Sequence, residues 1–459
     1  MQPSRPAVLA AGSVFLLSLA GCALAPPYHA PAAPAVDAYT HTPPPRVTAS
    51  TAGPAGQAQR FDYGAPPSDQ WWQLFRSPEI DTLIQQALAN NPGLVQAQAR
   101  LRQAQAAMAA ASGIFYPQIT GNFGASRQKT SSASSGGRFP GQIYSLYSGG
   151  LAVSYYPDFF GVNRLVYKGA RAQVDYQRYE LGAARLTLIG NVASAAISAA
   201  GVRAQIDATR AIITNEKRLL DLTETQYQVG TVSYLNVVNQ RSQVAASEAS
   251  LPALEQQWAV YQHQLAILLG ELPAQWRDEI PRLDGVTLPQ RIPVSLPSTL
   301  LQQRPDIRAA EAQLRYANAQ IGVAVAQMYP TVTLSADFGQ NSTTLGTFLN
   351  SAGNVWGLAG NLVLPLFKGG TLEAQKQEAI AAYDATLAAY RQTVLGSFQQ
   401  VANALRALEH DAEMLHAQRQ ALEATREALR LSETSYRAGA VDYLSLLTAE
   451  VQYNNARLG

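Results

Sequence analysis

Leu220-Asp-Leu-Thr-Glu-Thr-Gln-Tyr-Gln-Val-Gly-Thr-Val-Ser-Tyr-Leu235 returns in the same chain as Leu429-Arg-Leu-Ser-Glu-Thr-Ser-Tyr-Arg-Ala-Gly-Ala-Val-Asp-Tyr-Leu444. Tyr227, Gly230, Val232 and Tyr234 each recur 209 positions on, as Tyr436, Gly439, Val441 and Tyr443. Working outward, Pro92 to Pro117 and Pro305 to Pro330 are matching 25-residue steps, and Ala97, Leu101, Ala104 and Tyr116 reappear as Ala310, Leu314, Ala317 and Tyr329. The period is far too long for a solenoid of small repeats. Two copies of one large hairpin unit give pseudo-symmetry within one chain, which suits a ring or tube better than a catalytic cleft.

Upstream of each quoted motif lies a long proline-free stretch, from Asn163 to Val229 and from about Thr371 to Ala438. Either would span roughly 100 Å as one helix at about 1.5 Å per residue. In the second, Ile380, Leu387, Val394, Val401, Leu408, Leu415, Leu422, Leu429 and Tyr436 fall at consecutive steps of seven. The first echoes this with Val192, Ala199, Ile206, Ile213, Leu220 and Tyr227. Such spacing predicts left-handed supercoiling against neighbouring helices. The adjoining positions Ala404, Asp411, Gln418 and Thr425 are mixed, so one side packs and one stays wet. Gly230 and Gly439 stand where a helix C-cap is expected, and return helices begin at Tyr234-Leu235 and Tyr443-Leu444.

Before each long stretch the period changes to two. Ile119, Gly121, Phe123 and Ala125 alternate with Gln118, Thr120, Asn122 and Ser126, and Leu151, Val153 and Tyr155 form the returning face. A Ser/Gly-rich loop from about Lys129 to Gly141 joins them. In the second copy Val332, Leu334, Ala336 and Phe338 alternate with polar residues, and Trp356, Leu358, Leu362 and Leu364 share a face before Pro365. These patterns predict two β-hairpins, at about 118–157 and 331–365. Four strands cannot close a membrane barrel, and open edges in hydrocarbon leave backbone groups unsatisfied. Several chains must therefore share one barrel, and three chains would supply twelve strands and leave a lumen. Phe123, Tyr155, Tyr156, Phe338 and Trp356 suit a lipid interface.

Composition narrows the function. Charged residues are 14% of the 459, against roughly 25% in an average soluble protein, and the net charge of +2 argues for neither nucleic acid nor an acidic substrate. His29, His41, His263, His410 and His416 are scattered without zinc spacing, and Met1, Met108, Met328 and Met414 form no soft-metal relay. No nucleophile elbow, P-loop or dinucleotide fingerprint occurs, so neither an enzyme nor a cofactor is expected.

The one cysteine, Cys22, follows Arg5 and an apolar run from Ala7 to Ala20 that is too short to span a bilayer. Leu19-Ala20-Gly21-Cys22 resembles the bacterial lipoprotein box, which implies lipidation of Cys22 and, with Ala rather than Asp at position 23, sorting to the outer membrane. The expected organisation is a signal peptide over 1–21, a lipid-anchored extended linker over 22–60, a first repeat over 61–270, a connector over 271–297 broken by five prolines, and a second repeat over 298–459.

Leu296-Pro297-Ser298, Leu300-Leu301, Arg304-Pro305-Asp306-Ile307, Ala310-Glu311, Leu314, Ala319, Ile321-Gly322, Ala324 and Tyr329-Pro330 resemble the hallmark run of the outer membrane factor family, the TolC-like and OprM-like exit ducts of tripartite efflux systems. Trp71-Trp72, Phe75, Asp158 and Phe160-Gly161 fit as well. The resemblance implies a homotrimer with a twelve-stranded barrel in the lipid bilayer and a twelve-helix periplasmic tunnel. It also implies a periplasmic adaptor and an inner-membrane efflux pump of the resistance-nodulation-division type. Gly230, Thr231, Val232, Ser233, Tyr234 and Gly439, Ala440, Val441, Asp442, Tyr443 are the expected adaptor-docking tips. Asp221, Glu224, Arg430, Glu433 and Arg437 are the expected charged gate above them. Two departures stand out. Tyr155-Tyr156-Pro157-Asp158 replaces the usual Trp-Glu-Leu-Asp. Gly459 maps onto position 250 of the first copy, so the last helix is expected to be about 20 residues short, or roughly 30 Å of wall. The alternative expectation is a non-conducting lipid-anchored helical scaffold or a truncated, assembly-defective relative.

Overall fold

A computed structural model describes residues 26–131, 133, 140–277 and 280–459. Cys22 and the signal peptide lie outside the described residues, as does most of the Ser/Gly-rich loop. The eight α-helices named below are α1 Pro78–Asn90, α2 Pro92–Ser112, α3 Val162–Gln228, α4 Tyr234–Leu268, α5 Pro297–Gln303, α6 Pro305–Ala326, α7 Thr371–Arg437 and α8 Tyr443–Leu458. The strands are β1 Arg60–Tyr63, β2 Gln118–Lys129, β3 Ile143–Tyr155, β4 Arg291–Val294, β5 Thr331–Ser342 and β6 Asn354–Val363. The chain divides into two units, one of residues 99–179 and 308–393 with the N-terminal stretch, the other of 32–98, 180–307 and 394–459.

The first unit holds an antiparallel sheet in the order β2-β3-β5-β6. Its register aligns the predicted faces across all four strands: Ile119, Val153, Ala336 and Leu358 form one row, and Gly121, Leu151, Phe338 and Trp356 the next. The opposite face carries Thr120, Ala152, Asp337 and Gly357 in a row, and Asn122, Gly150, Gly339 and Val355 in another. One face is therefore apolar and the other small and polar, because side chains alternate along a strand. The apolar face is open: Ile119, Phe123, Phe338, Trp356 and Leu358 are all at least 60% exposed. Strands β2 and β6 are the edges, with no strand paired outside them among the described residues.

Asp158 organises the turn after β3. Its two carboxylate oxygens accept from the backbone N–H of Asn163 (3.0 Å) and Arg164 (2.9 Å), satisfying orphan donors at the start of α3. Gly161 supplies the left-handed residue, at φ +81°, that the turn needs. In the same unit Arg308 donates to the Tyr179 hydroxyl at 2.7 Å while stacking over its ring, and Arg315 bridges Glu311 at 3.2 Å.

The second unit is organised around the middle of α3. Val192, Ala196 and Ala199 pack with Trp72, Ile80, Leu83, Ile84, Leu265 and Leu269 in one fully buried cluster. The Asn91 side chain ties this cluster together, accepting from Leu94 N (3.1 Å) and donating to the Leu268 carbonyl (2.8 Å). The hallmark arginine serves the fold: Arg304 holds Asp306 at 2.7 Å and also donates to Gln400. Burial opposes ionisation of Asp306, yet the Arg304 guanidinium holds the carboxyl below its usual range.

Two stretches are more ordered than the sequence predicts. Within the connector, β4 pairs in parallel with β1 despite Pro293. A two-stranded sheet has only edges, where a missing N–H is tolerated. The Pro/Ala/Thr-rich linker is extended but laid along α7. Tyr39 packs on Phe398, Arg406 donates to the Thr42 carbonyl, His416 Nδ1 to Ser50 O at 3.1 Å, and Arg419 to the carbonyls of Ala52 and Pro54. Side chains of one helix supply the donors that an extended segment lacks internally.

Candidate functional site

The two tips begin from the same helix ending. At the first, Gly230 N donates to Tyr227 O (2.9 Å) and Thr231 N to Gln226 O (2.9 Å). At the second, Gly439 N donates to Tyr436 O (3.0 Å) and Ala440 N to Ser435 O (2.9 Å). This pair of bonds is the Schellman ending of a helix, and it requires a left-handed residue at the glycine. The φ values, +78° at Gly230 and +72° at Gly439, meet that requirement.

Beyond the glycines the tips diverge. Asp442 caps α8, its carboxylate accepting from Ser445 N at 2.9 Å, and that bond set with Ser445 holds its pKa below the usual value. Ser233 makes no such side-chain bond to α4. Tyr234 is 54% exposed, whereas Tyr443 is 5% exposed and donates to Gln240 Oε1 at 2.5 Å. Burial pushes the Tyr443 hydroxyl up to about 12. Val229, Tyr234, Leu235, Val441 and Leu444 leave apolar surface uncovered around the two turns. Thr231 folds its hydroxyl back onto the Gln226 carbonyl, so it reinforces the turn, while Val232 is half-buried and Ala440 exposed.

Of the predicted gate residues, Glu433 and Arg437 meet, at 4.0 Å. Glu224 is instead engaged by Arg241 of α4 at 2.6 Å, and Arg430 by Glu427 at 2.6 Å. Hydrogen bonding to Glu224 raises the Arg241 pKa, and hydrogen bonding to Arg430 lowers that of Glu427. Asp221 contributes its carbonyl to the Thr225 hydroxyl. Sequence reasoning missed Arg241 and Glu427. It also missed a polar group behind the second tip, made of the buried Glu216 and Gln240 and the half-buried Gln243, Glu450 and Asn454. Each partner lies on a different turn or helix from the repeated motif, so the motif alone does not point to it. An apolar cavity of about 480 Å³ lies apart from the tips, lined by Trp71, Phe75, Leu288, Ile292, Leu408 and Leu415 among others.

Known proteins share this arrangement. The model of the outer membrane efflux protein family matches residues 83–271 and 296–458. A pyoverdine export outer membrane protein of Pseudomonas aeruginosa, OpmQ, is 36% identical over 324 residues, covering 69% of this chain and 67% of its own length. The solved outer-membrane channel OprN superposes with a TM-score of 0.86 at 28% identity, over 95% of this chain and 94% of its own. The outer membrane protein VceC of Vibrio cholerae gives 0.79 at 28% identity, over 86% of this chain and 94% of its own. The match of the family model across both repeats, with the 36% identity to OpmQ, places this chain in the outer membrane efflux protein family.

Proposed function

We propose that three copies of this chain form the passive exit duct of a tripartite efflux system, each contributing four strands to a shared twelve-stranded barrel and its long helices to a periplasmic tunnel. The carrying observation is the sheet β2-β3-β5-β6, apolar on one face, polar on the other and open at both edges. In hydrocarbon every backbone group needs a partner, so β2 of one copy pairs with β6 of the next. The polar face then lines the lumen. Cys22 is lipidated and anchors the mature chain, with 22–60 as its linker, 61–270 and 298–459 as the two repeats and 271–297 as the connector.

Gly230 to Tyr234 and Gly439 to Tyr443 dock the periplasmic adaptor, whose inner-membrane partner is a pump of the resistance-nodulation-division type. Asp221, Glu224, Arg430, Glu433 and Arg437 form the charged aperture above them. The energy source lies in the pump, so the duct is not an enzyme. Its cargo is drugs or other small molecules, a class to which the pyoverdine of the OpmQ relative also belongs.

The test is the mass of the particle extracted from membranes in detergent, corrected for bound detergent. Three chains per particle is the expected result, and a monomer overturns the shared barrel.

A further inference from the structure

The 209-residue step carries Glu224 onto Glu433, Tyr234 onto Tyr443 and Arg241 onto Glu450. At the first tip this relation places a cation against an anion, the Arg241–Glu224 pair at 2.6 Å. At the second, both positions are carboxylates. Charge reversal at one equivalent position has removed the clamp, and the helices are held differently there.

What replaces it is a polar group between α3, α4 and α8. Glu216 of α3 is fully buried. Its Oε1 accepts from Gln243 Nε2 (3.1 Å) and Asn454 Nδ2 (3.4 Å), and its backbone carbonyl accepts from Gln240 Nε2 (3.2 Å). Gln240 in turn receives the Tyr443 hydroxyl. Two atoms remain: Glu216 Oε2 and Glu450 Oε2 are both buried without a hydrogen-bond partner among the described residues. The charges acting on Glu450 are the carboxylates Glu216 of α3 and Glu433 of α7, and Glu450 in turn acts on Tyr443; the amides of Gln240 and Gln243 from α4 and of Asn454 from α8 bond to Glu216. Three cations of this region are engaged by other carboxylates, Arg241 by Glu224, Lys217 by Glu248 at 2.6 Å and Arg437 by Glu433. With no salt bridge to either carboxylate among the described residues, a negative charge on the buried Glu450 oxygen beside Glu216 is disfavoured.

We propose that a proton on Glu450, held beside the buried Glu216, latches α8 onto α3 and α4, and that loss of this proton loosens the second tip while the first stays clamped. Burial first, then the charges of Glu216 and Glu433, push Glu450 up from 4.5 to about 7. A carboxyl whose value is higher in the packed state than in the released state binds more protons when packed. Its contribution is therefore full below about 4.5 and is lost as the pH rises to about 7, by up to about tenfold per pH unit. Above that range the slope flattens.

The test is hydrogen exchange of residues 443–452 in the full-length protein in detergent, between pH 5 and pH 8, expressed as protection relative to intrinsic rates. Residues 234–243 serve as the internal comparison. The expected result is a fall in protection of at least tenfold in 443–452 across that range with little change in 234–243. Glu450→Gln removes the titrating carboxyl and abolishes the slope, whereas Glu216→Gln removes one neighbouring charge and weakens it, because burial still holds Glu450 up. Equal protection at both pH values, equal slopes in the two segments, or a wild-type slope in Glu450→Gln overturns the proposal. The readout is independent of transport, so it stands or falls apart from the duct reading.

Discussion

The two helical tips are built on one backbone and held by different chemistry. Both long helices end in the same glycine-dependent turn, with φ values within a few degrees of each other. At the first tip the return helix α4 starts without a side-chain cap, keeps Tyr234 in solvent and is pinned by the surface pair Arg241–Glu224. At the second, α8 starts from an Asp442 cap, buries Tyr443 against Gln240 and sets its own Glu450 beside Glu216 of α3. Duplication preserved what the turn geometry demands and released what merely attaches the turn to its neighbours. A left-handed turn residue strongly favours glycine, whereas attachment can be made by an ion pair or by a polar amide network.

The largest effects come from attacking what the tips share. Gly439→Pro forces φ to about −65° at a residue that sits at +72° and deletes the N–H that bonds Tyr436 O. Export through the pump is expected to fall to background, with the detergent-corrected mass unchanged. Gly230→Pro should do the same if both tips dock the adaptor. Unchanged export in either variant sinks the docking assignment for that tip.

Next in size is the packing behind each tip. Ile206 in α3 is 2% exposed, while Leu422, on the corresponding heptad stripe of α7, is half-buried. Ile206→Ala is expected to cost about 2–5 kcal/mol and Leu422→Ala clearly less, because the second position leaves a smaller cavity. Midpoints of denaturant unfolding for the two variants, compared with the unsubstituted protein, measure this. Equal losses would mean that assembly covers Leu422 as completely as the chain itself covers Ile206.

Much of this was legible in the sequence. The alternation of Ile119, Phe123, Leu151, Phe338 and Trp356 pointed to one apolar face, and the register places those residues on it. Gly230 and Gly439 marked the helix ends because a left-handed turn residue strongly favours glycine. The β4 strand was hidden by Pro293, since proline signals a break and only the two-stranded pairing makes it harmless. The linker lying along α7 left no pattern, because Arg406, His416 and Arg419 bind backbone carbonyls that every sequence offers. Among the gate residues, charge alone did not reveal that Glu224 meets Arg241 or that Arg430 meets Glu427, since those pairings depend on helix phase and on which helix returns beside which. The exchange of Arg241 for Glu450 was visible at the 209-residue step, but its meaning required Glu216, which lies outside the repeated motif.

Smaller effects separate the tips. Tyr443→Phe removes a buried hydroxyl and leaves Gln240 Oε1 unsatisfied, at a cost of about 1 kcal/mol. Hydrogen exchange in the first two turns of α8 should quicken roughly fivefold. Tyr234→Phe, at an exposed ring, should alter α4 less. Comparable changes in both would show that Tyr234 is buried by a neighbouring copy.

The smallest difference lies in the caps. Asp442 gives its carboxylate to Ser445 N, one of the donors that a helix start leaves unpaired. Asp442→Ala should therefore speed exchange at that amide by about three- to tenfold, the usual consequence of losing an N-cap. Ser233→Ala should leave the start of α4 nearly unchanged, because its hydroxyl oxygen accepts no backbone N–H there. The sign of the Asp442 effect also follows pH. Hydrogen bonding with Ser445 lowers the Asp442 pKa, so the cap is in place above the ordinary aspartate range and is lost as the pH falls through the lowered value. The proposed Glu216–Glu450 latch runs the opposite way, tightening as the pH falls. At mildly acidic pH both therefore hold α8, and acidification far enough to protonate Asp442 should fray the first turn while residues further along the helix stay protected.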